Sequence, residues 1–375
     1  MNFAYTLEQL EFQQRARDFI SRKMAPEVEK YDRASIFPKA AFREFGEEGF
    51  LGVIVPKEYG GLGLGTMEYC LLSEELGRLS AGYTHNGIFQ TQKMITMYGT
   101  DEQKERFLPG LASGKLHAAT AISEPGMGSS FKKMKTCARK EGGVYILNGV
   151  KSHINDAAEA DVMNVFAQTD QGLTVFLLEK GTPGFKLTRK LDPIGLRASP
   201  IYEFELEDCP IPGENILGEE GKGLVVFITT FNFSRLGNAS AFLGMAKAAL
   251  EEALDFARGR KIGETRVTDF QGIRWTVAEL FTRLEAAELL RNKAATIEDE
   301  GGDSSKLSSM AKFFCGEVAV DTIMAALRIT GSYGCYRDTP FERWLRDIKA
   351  LEIAGGTPEI MKNIIANQIL KEVTF

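Results

Sequence analysis

The sequence predicts an α+β protein in which a helical N-terminal domain, a middle β domain and a C-terminal helical bundle follow one another. In the first and last parts of the chain, apolar residues recur every three or four positions, as on one face of a helix. Between them, short β-branched and aromatic runs are bounded by Gly, Pro, Asn or Asp, which is typical of strands and turns. We place the domains at 1–115, 116–224 and 225–375.

The N-terminal part has the spacing of amphipathic helices. Leu10, Ala16, Phe19 and Ile20 recur at helical intervals. The segment 55–65 contains the run EYGGLGLG, which has too much glycine for a helix interior. It therefore predicts a loop that joins two helices.

The middle part predicts a small β domain, because GVYILNGV, DVMNVFAQT, LTVFLLEK and YEFELEDCPIP read as separate strands. The helical spacing then returns in four long segments, with breaks near 259–268, 300–305 and 331–340. Long helices with short breaks predict an up-down bundle. Its apolar side chains at 313, 314, 318 and 323 are expected to need cover from a second subunit.

Composition excludes several classes of function. The 375 residues are 44% hydrophobic and carry a net charge of -6 that is spread along the chain, so we expect neither nucleic acid nor a membrane surface as partner. No run of about 18 apolar residues is present. The cysteines are odd in number and form no metal-binding spacing, which predicts a cytoplasmic protein without a disulfide or a bound metal. They are Cys70, Cys137, Cys209, Cys315 and Cys335.

A small-residue turn follows the apolar segment AATAI. It reads SEPGMGSS from Ser123 to Ser130 and combines hydroxyls, glycines and free backbone N–H groups. Such a turn can approach a flavin ring or a phosphate closely. An ordinary surface turn has the same composition, so the turn alone leaves both interpretations open.

Six further segments accompany this turn in a fixed order, and together they resemble the acyl-CoA dehydrogenase family over essentially the whole chain. The resemblance implies a middle domain like a β-barrel, a C-terminal four-helix bundle, and FAD bound between the two. It also implies a homodimer or homotetramer and, often, an electron-transfer flavoprotein as redox partner. The segments are VPKEYGGLG, YGTDEQKERFLPGLASGK, YILNGVKSHIND, ILGEEGKG, SRLGNASAFLGMAKAALEEALDFARGR and RDIKALEIAGGTPEI.

The resemblance also implies which residues contact FAD. Arg260 and Gln271 match residues that reach the FAD of a neighbouring subunit, and Thr357 and Glu359 match those at its adenosine end. Ser129 matches a serine that contacts both the pyrophosphate and the pantetheine arm of the substrate. The remaining matches are Ile122, Ser123, Gly128, His153 and Asn155.

The chain departs from the family at the catalytic base. Most members have a glutamate where Gly355 stands, and a minority have it where Ser234 stands, so both known positions lack a carboxylate. The identity of the base is therefore unknown from the sequence. His153 is a candidate proton shuttle, and a histidine without catalytic duty is the alternative.

The substrate-binding motif is altered as well. The family's Asp-x-Glu-Arg reads Asn232-Phe233-Ser234-Arg235, in which Arg235 is retained and can meet a phosphate of coenzyme A or of phosphopantetheine. We therefore expect a small or unusual acyl thioester on coenzyme A or, in preference, on an acyl carrier protein. Family branches of this kind make hydroxymalonyl or aminomalonyl extender units for polyketide pathways.

Two other functions are compatible with the same residues. The chain could be a non-catalytic or base-deficient subunit of a hetero-oligomeric acyl-CoA dehydrogenase, in which a second subunit supplies the base. It could also be an FAD-dependent monooxygenase of the same fold.

Overall fold

A computed structural model describes residues 4–128 and 134–372 of the chain. Six α-helices form the N-terminal domain, and two of them begin with a capping box, at Thr6 and Thr100. The loop predicted at 55–65 joins α3 to α4 and contains one short 3-10 turn. The helices are α1 (Leu7–Phe19), α2 (Val28–Ala34), α3 (Lys39–Glu47), α4 (Thr66–Leu79), α5 (Asn86–Tyr98) and α6 (Asp101–Ala112).

Seven strands form one mixed sheet in the middle domain. Along the sheet the order is β1-β4-β2-β3-β7-β6, and β5 also pairs with β4. The long pair β3 and β7 is antiparallel, and its register shifts twice. The strands are β1 (Ala118–Ala121), β2 (Cys137–Glu141), β3 (Val144–Asn155), β4 (Val162–Thr169), β5 (Gly172–Glu179), β6 (Phe185–Leu191) and β7 (Ile201–Pro212).

The C-terminal domain consists of three long helices and two shorter ones. A two-stranded hairpin separates the first two long helices. The elements are α7 (Gly223–Gly259), β8 (Lys261–Ile262), β9 (Thr265–Arg266), α8 (Gln271–Asp299), α9 (Ser305–Thr330), α10 (Phe341–Ile353) and α11 (Pro358–Glu372). The predicted α+β order of helices, sheet and helical bundle is thereby confirmed.

Helix α4 of the N-terminal domain packs directly on α7 of the bundle. A Cβ at Gly244 would lie 2.0 Å from the carbonyl oxygen of Glu74, so only glycine allows this approach. The contact brings the buried Glu74 carboxylate to Arg291 on α8, with 3.0 Å between Nη2 and Oε2, and to Lys247 at 2.6 Å. The two domains are thus joined by a paired, buried charge network.

One packing expectation was wrong for two of its four residues. Val318 and Ile323 on α9 are buried within the bundle and need no second subunit to cover them, whereas Phe313 and Phe314 are partly exposed. Exposed apolar side chains occur on several elements, and one group of them, Ile262, Phe270, Trp275 and Phe281, lies along the hairpin and α8. The N-terminal part of α7 exposes further apolar side chains. None of the helices in the described part of the chain is both long and apolar enough to span a membrane.

Candidate active site

The small-residue turn is anchored to strand β3. The carbonyl oxygen of Ile122 accepts a hydrogen bond from Nζ of Lys151 at 3.1 Å, and that of Ser123 accepts one from the backbone N–H of Ser152 at 3.0 Å. A Cβ at Gly126 or Gly128 would meet no atom within 4 Å. The turn is therefore held at its base and open on its outer side; Ser129 lies outside the described residues.

A buried ion pair fixes the turn from beneath. The Glu124 carboxylate accepts from the backbone N–H groups of Lys135 (2.6 Å) and Thr136 (3.0 Å) and from Nζ of Lys151 (2.9 Å). Burial opposes ionisation of Glu124, but these hydrogen bonds outweigh it and lower its pKa. Burial also lowers the pKa of Lys151, to about 8, although Glu124 acts in the opposite direction. Sequence reasoning missed this pair, which the Glu of SEPG and the Lys of KSHIN could have suggested.

Two predicted flavin contacts lie where β3 departs from regular pairing. The register with β7 shifts between Lys151 and Ile154, and His153 between them is exposed with φ 62°. The Asn155 amide donates to the carbonyl oxygen (3.2 Å) and the hydroxyl (3.0 Å) of Ser199. His153 therefore lies exposed on a bulge of β3. The Asn155 side chain is hydrogen-bonded to Ser199 within the domain.

A cluster of three buried side chains stands behind this bulge. Nδ1 of His85 lies 2.8 Å from Oδ2 of Asp156, and Nε2 of His117 lies 3.4 Å from the same oxygen. The hydroxyl of Ser199 donates to the other oxygen of Asp156 at 3.0 Å, and so links the cluster to Asn155. Burial lowers the pKa of His85, with Asp156 acting in the opposite direction. The cluster supports the edge of β3 that carries the bulge.

The position of the family base lies in the loop between α10 and α11. Gly355 has φ +69° and Gly356 has φ +104°, so both adopt conformations that favour glycine. Nζ of the buried Lys312 on α9 donates to the carbonyl oxygens of Glu352 (3.1 Å) and Gly356 (2.6 Å). The loop is therefore clamped against α9 by a lysine that sequence reasoning did not single out.

An amide from α7 lies against the position where a side chain of residue 355 would begin. Nδ2 of Asn238 lies 2.6 Å from the place of a Cβ on Gly355. Its Oδ1 accepts a hydrogen bond from the Asn86 amide, and Oδ1 of Asn86 accepts one from the Tyr69 hydroxyl at 3.1 Å. Burial raises the pKa of Tyr69, which therefore remains a neutral donor. The site thus contains a chain of neutral hydrogen-bonding groups that no motif indicated.

Ser234 and Arg235 are also buried on α7. Nη1 of Arg235 donates to Oδ1 of Asn232 at 2.8 Å, and Nε of Arg235 is buried without a hydrogen-bond partner. Burial lowers the pKa of Arg235 to about 10. Cε of Lys312 lies 3.8 Å from the Cβ position of Gly355. Arg235 lies one helical turn before Asn238, on the same side of α7, so both cations stand on elements that adjoin the base position.

The remaining predicted FAD contacts lie at two other places. The Thr357 hydroxyl accepts from the backbone N–H of Ile360 at 3.4 Å, and Glu359 is exposed in the first turn of α11. Arg260 and Gln271 are exposed on either side of the β8–β9 hairpin. Gln271 lines a surface depression of about 480 Å³ together with Trp275. Arg260 and Gln271 therefore lie on the exposed surface of the subunit, unlike the buried residues around Gly355.

Comparison with known proteins gives the family. The acyl-CoA dehydrogenase N-terminal, middle and C-terminal domain profiles match residues 6–115, 119–209 and 221–370. An acyl-CoA dehydrogenase of Bacillus subtilis is 36% identical over 97% of this chain and 98% of its own length. Butyryl-CoA dehydrogenase from Megasphaera elsdenii superposes with a TM-score of 0.96 at 34% identity, covering 99% of this chain and all of that one.

Two further solved structures are similar to this chain along nearly its whole length. A chain from a study of the electron transferring flavoprotein of Acidaminococcus fermentans has a TM-score of 0.95 and 35% identity, covering 99% of this chain and 100% of its own. The prolyl acyl carrier protein oxidase AnaB has a TM-score of 0.91 and 31% identity, covering 98% of this chain and 100% of its own.

The residues of the site fit the family's cofactor. The open outer side of the turn at Gly126 and Gly128 leaves room for a planar ring system. Exposed Arg260 offers a guanidinium for a pyrophosphate, and the first turn of α11 offers backbone N–H groups. Because the likeness extends from one end of the chain to the other, the chain belongs to the acyl-CoA dehydrogenase family and is an FAD-dependent oxidoreductase.

Proposed function

We propose that the protein oxidises a small acyl thioester at a carbon that carries oxygen or nitrogen, and that an acyl carrier protein presents this thioester in preference to coenzyme A. One observation carries the proposal. The surroundings of Gly355 contain neutral amides and buried cations, and Asn238 stands where the carboxylate base of other members would begin.

An alkyl thioester is a poor substrate for such a site. Its α C–H is weakly acidic and must be removed by a positioned base, which typically contributes a factor of about 100 to 10,000. Asn238 and Asn86 cannot accept that proton, because neutral amides are not bases at neutral pH. Nζ of Lys312 lies near Gly355 but is engaged as a donor to two carbonyl oxygens.

A hydrated aldehyde or an alcohol suits the same groups better. FAD, when bound, accepts the hydride that leaves the oxidised carbon. The proton leaves the hydroxyl oxygen for water as the C=O bond forms, so a hydrated aldehyde becomes a carboxylic acid. The amides of Asn86 and Asn238 can orient the hydroxyls, while Arg235 and Lys312 favour negative charge that develops on oxygen.

Carrier-protein attachment is supported by two lines of argument. AnaB, a carrier-protein oxidase by its name, is similar to this chain along its full length. The motif that contacts coenzyme A in the resemblance has lost two carboxylates, at Asn232 and Ser234. A hydroxymalonyl or aminomalonyl extender unit is the product class that combines a small acyl group, a carrier protein and a heteroatom.

The proposal includes a redox partner and a second copy of the chain. An electron-transfer flavoprotein reoxidises the flavin, as the similarity to the Acidaminococcus fermentans chain suggests. The exposed apolar residues of the hairpin and α8 support a homodimer or homotetramer, in which Arg260 and Gln271 reach the partner's FAD.

Anaerobic reduction of the bound flavin tests the proposal. The oxidised protein is mixed with butyryl, 3-hydroxypropionyl and malonyl-semialdehyde thioesters, each on coenzyme A and on a carrier protein, and flavin absorbance is followed. We expect the oxygenated acyl groups to bleach the flavin at least tenfold faster than butyryl, and faster on the carrier protein. Rapid bleaching by butyryl-CoA, or none by any thioester, would contradict the proposal; the latter result points to a base-deficient subunit.

A further inference from the structure

The buried cations of the protein fall into two groups. Arg291 and Lys151 are buried and lie 3.0 Å and 2.9 Å from the carboxylates of Glu74 and Glu124. Arg235 and Lys312 are buried to a similar degree, with 8% and 3% exposure. Among the residues that the structure describes, no carboxylate lies within the 4.0 Å ion-pairing distance of either. They are buried cations without an ion-paired carboxylate, although the charge of Glu352 acts on Lys312 from beyond that distance.

The groups that Arg235 and Lys312 do contact are neutral. Arg235 has one amide oxygen, from Asn232, and its Nε is unpartnered. Lys312 has two backbone carbonyl oxygens. Burial, and after it the charge of Arg235, lowers the pKa of Lys312 to about 7, with the charge of Glu352 acting in the opposite direction. Burial of a charge is unfavourable in free energy unless an opposite charge lies nearby. Arg235 and Lys312 are therefore expected to bind an anion from outside the chain.

The position of the pair limits what that anion can be. Cε of Lys312 lies 3.8 Å from the Cβ position of Gly355, beside the reacting carbons of the acyl group in the proposed function. The phosphate of a phosphopantetheine arm is separated from the thioester by the length of that arm. A cation beside the acyl carbons therefore faces the acyl group and not the phosphate.

We propose that Arg235 and Lys312 form a binding site for a carboxylate at the end of the acyl group itself. The substrate class is then a short acyl thioester that carries a terminal carboxylate or acquires one when a hydrated aldehyde is oxidised. This inference rests on the proposed function for the placement of the acyl group, but it concerns binding and requires no turnover.

Two isosteric thioesters test it. Malonyl-pantetheine and malonamyl-pantetheine differ only by a terminal carboxylate in place of a neutral amide, and neither carries a phosphate. Their binding to the oxidised holoenzyme is measured by the perturbation of flavin absorbance. We expect malonyl-pantetheine to bind at least tenfold more tightly, because a charge-assisted hydrogen bond to a buried guanidinium is strong.

Variants of Arg235 test whether this residue is responsible for the preference for malonyl-pantetheine over malonamyl-pantetheine. Arg235→Gln should reduce the preference to less than about threefold, since a neutral amide replaces the cation. Arg235→Lys should retain part of it. Arg258→Gln, at an exposed arginine that pairs with Asp255, should leave it unchanged. FAD content and circular dichroism establish that each variant is folded.

Two results would overturn the inference. One is equal affinity of the wild-type protein for both thioesters. The other is a loss of affinity in Arg235→Gln that appears only with the phosphopantetheine forms, which would assign Arg235 to the phosphate. Because no oxidation is measured, a protein that binds malonyl-pantetheine selectively but oxidises no thioester would disprove the proposed function and leave this inference standing.

Discussion

The Asn238 amide stands where the side chain of residue 355 would begin, with 2.6 Å between its Nδ2 and the position of a Cβ on Gly355. Asn238 on α7 and Gly355 in the loop after α10 lie far apart in the sequence. The side chain at one of these positions limits the size of the side chain that the other can carry. In this chain a side chain at residue 355 would therefore have to share its space with the Asn238 amide.

Gly355→Glu by itself should therefore give little oxidation of butyryl-CoA. The new side chain collides with Asn238, and the positive φ of Gly355 costs about 1 to 2 kcal/mol for a residue with a Cβ. Gly355→Glu combined with Asn238→Ala should be at least tenfold faster in anaerobic flavin reduction, because a positioned base contributes about 100-fold or more. Asn238→Ala is the control; a single variant as fast as the double variant would refute the steric argument.

Arg291→Met should destabilise the protein, whereas Arg235→Met should not. Removal of Arg291 leaves Glu74 buried with one of its two cationic partners missing, and breaking a buried pair typically costs about 3 to 5 kcal/mol. Arg235 has no counterion, so Met removes an uncompensated charge. Urea unfolding of the protein without substrate measures both. A loss above about 2 kcal/mol in Arg235→Met would show that Arg235 has a structural role.

Stability should decline as the pH falls below about 6.5. The pKa of His85 is lowered in the folded protein from its ordinary 6.5, so below that pH the unfolded chain binds a proton that the folded chain excludes. The pKa of Asp156 is also lowered, because His85 and His117 outweigh its burial, and its contribution is lost in the same direction at lower pH.

The free energy of unfolding should therefore decrease between pH 7.5 and 5.5, because His85 takes up a proton in the unfolded chain before it does so in the folded one. His85→Gln retains a hydrogen-bond donor for Asp156 but does not titrate, so its free energy of unfolding should change less over this range. His153→Gln, at the exposed bulge, is the matched control. Unfolding curves of His85→Gln with the full pH dependence of the wild type would assign the effect to other groups.

Arg260→Ala should lower the FAD content while leaving the fold intact. Its guanidinium is exposed on the isolated subunit, and its proposed partner is the pyrophosphate of a neighbouring subunit's FAD. The ratio of flavin to protein absorbance measures occupancy, and circular dichroism reports folding. Arg258→Ala, two residues earlier on α7, should keep its flavin. Equal occupancy in the two variants would mean that Arg260 is only a solvated cation.

Trp275→Glu should reduce both the assembly and the FAD content. Trp275 is 65% exposed on the subunit and lies in the same surface depression as Gln271. A charge there disfavours the burial of this surface against a second copy. Light scattering should show a mass near one subunit, with loss of flavin in the same fractions. Glu279→Gln on α8 is a control, and an unchanged mass would place the interface elsewhere.

The sequence alone determined the fold class, because hydrophobic period and turn residues are local properties. The change from helical spacing to short strands and back is visible in the residues themselves, and the long helices α7, α8 and α9 end at the breaks at Gly259, near 300 and near Gly331. The sequence also revealed what is missing at Gly355 and Ser234, since each lies within a motif of contiguous residues.

Only the tertiary structure decided what surrounds those two positions. Three helices in different parts of the chain contribute Asn86, Asn238 and Lys312 to the surroundings of one loop. No local sequence pattern predicts that these side chains come together. The same holds for charge pairing. Arg235 and Arg291 are alike in a sequence, but the side-chain partner of Arg235 is the neutral amide of Asn232, while Arg291 meets the Glu74 carboxylate across a helix contact. Charge compensation in a protein interior depends on distances between segments, and these are set by packing, not by sequence proximity.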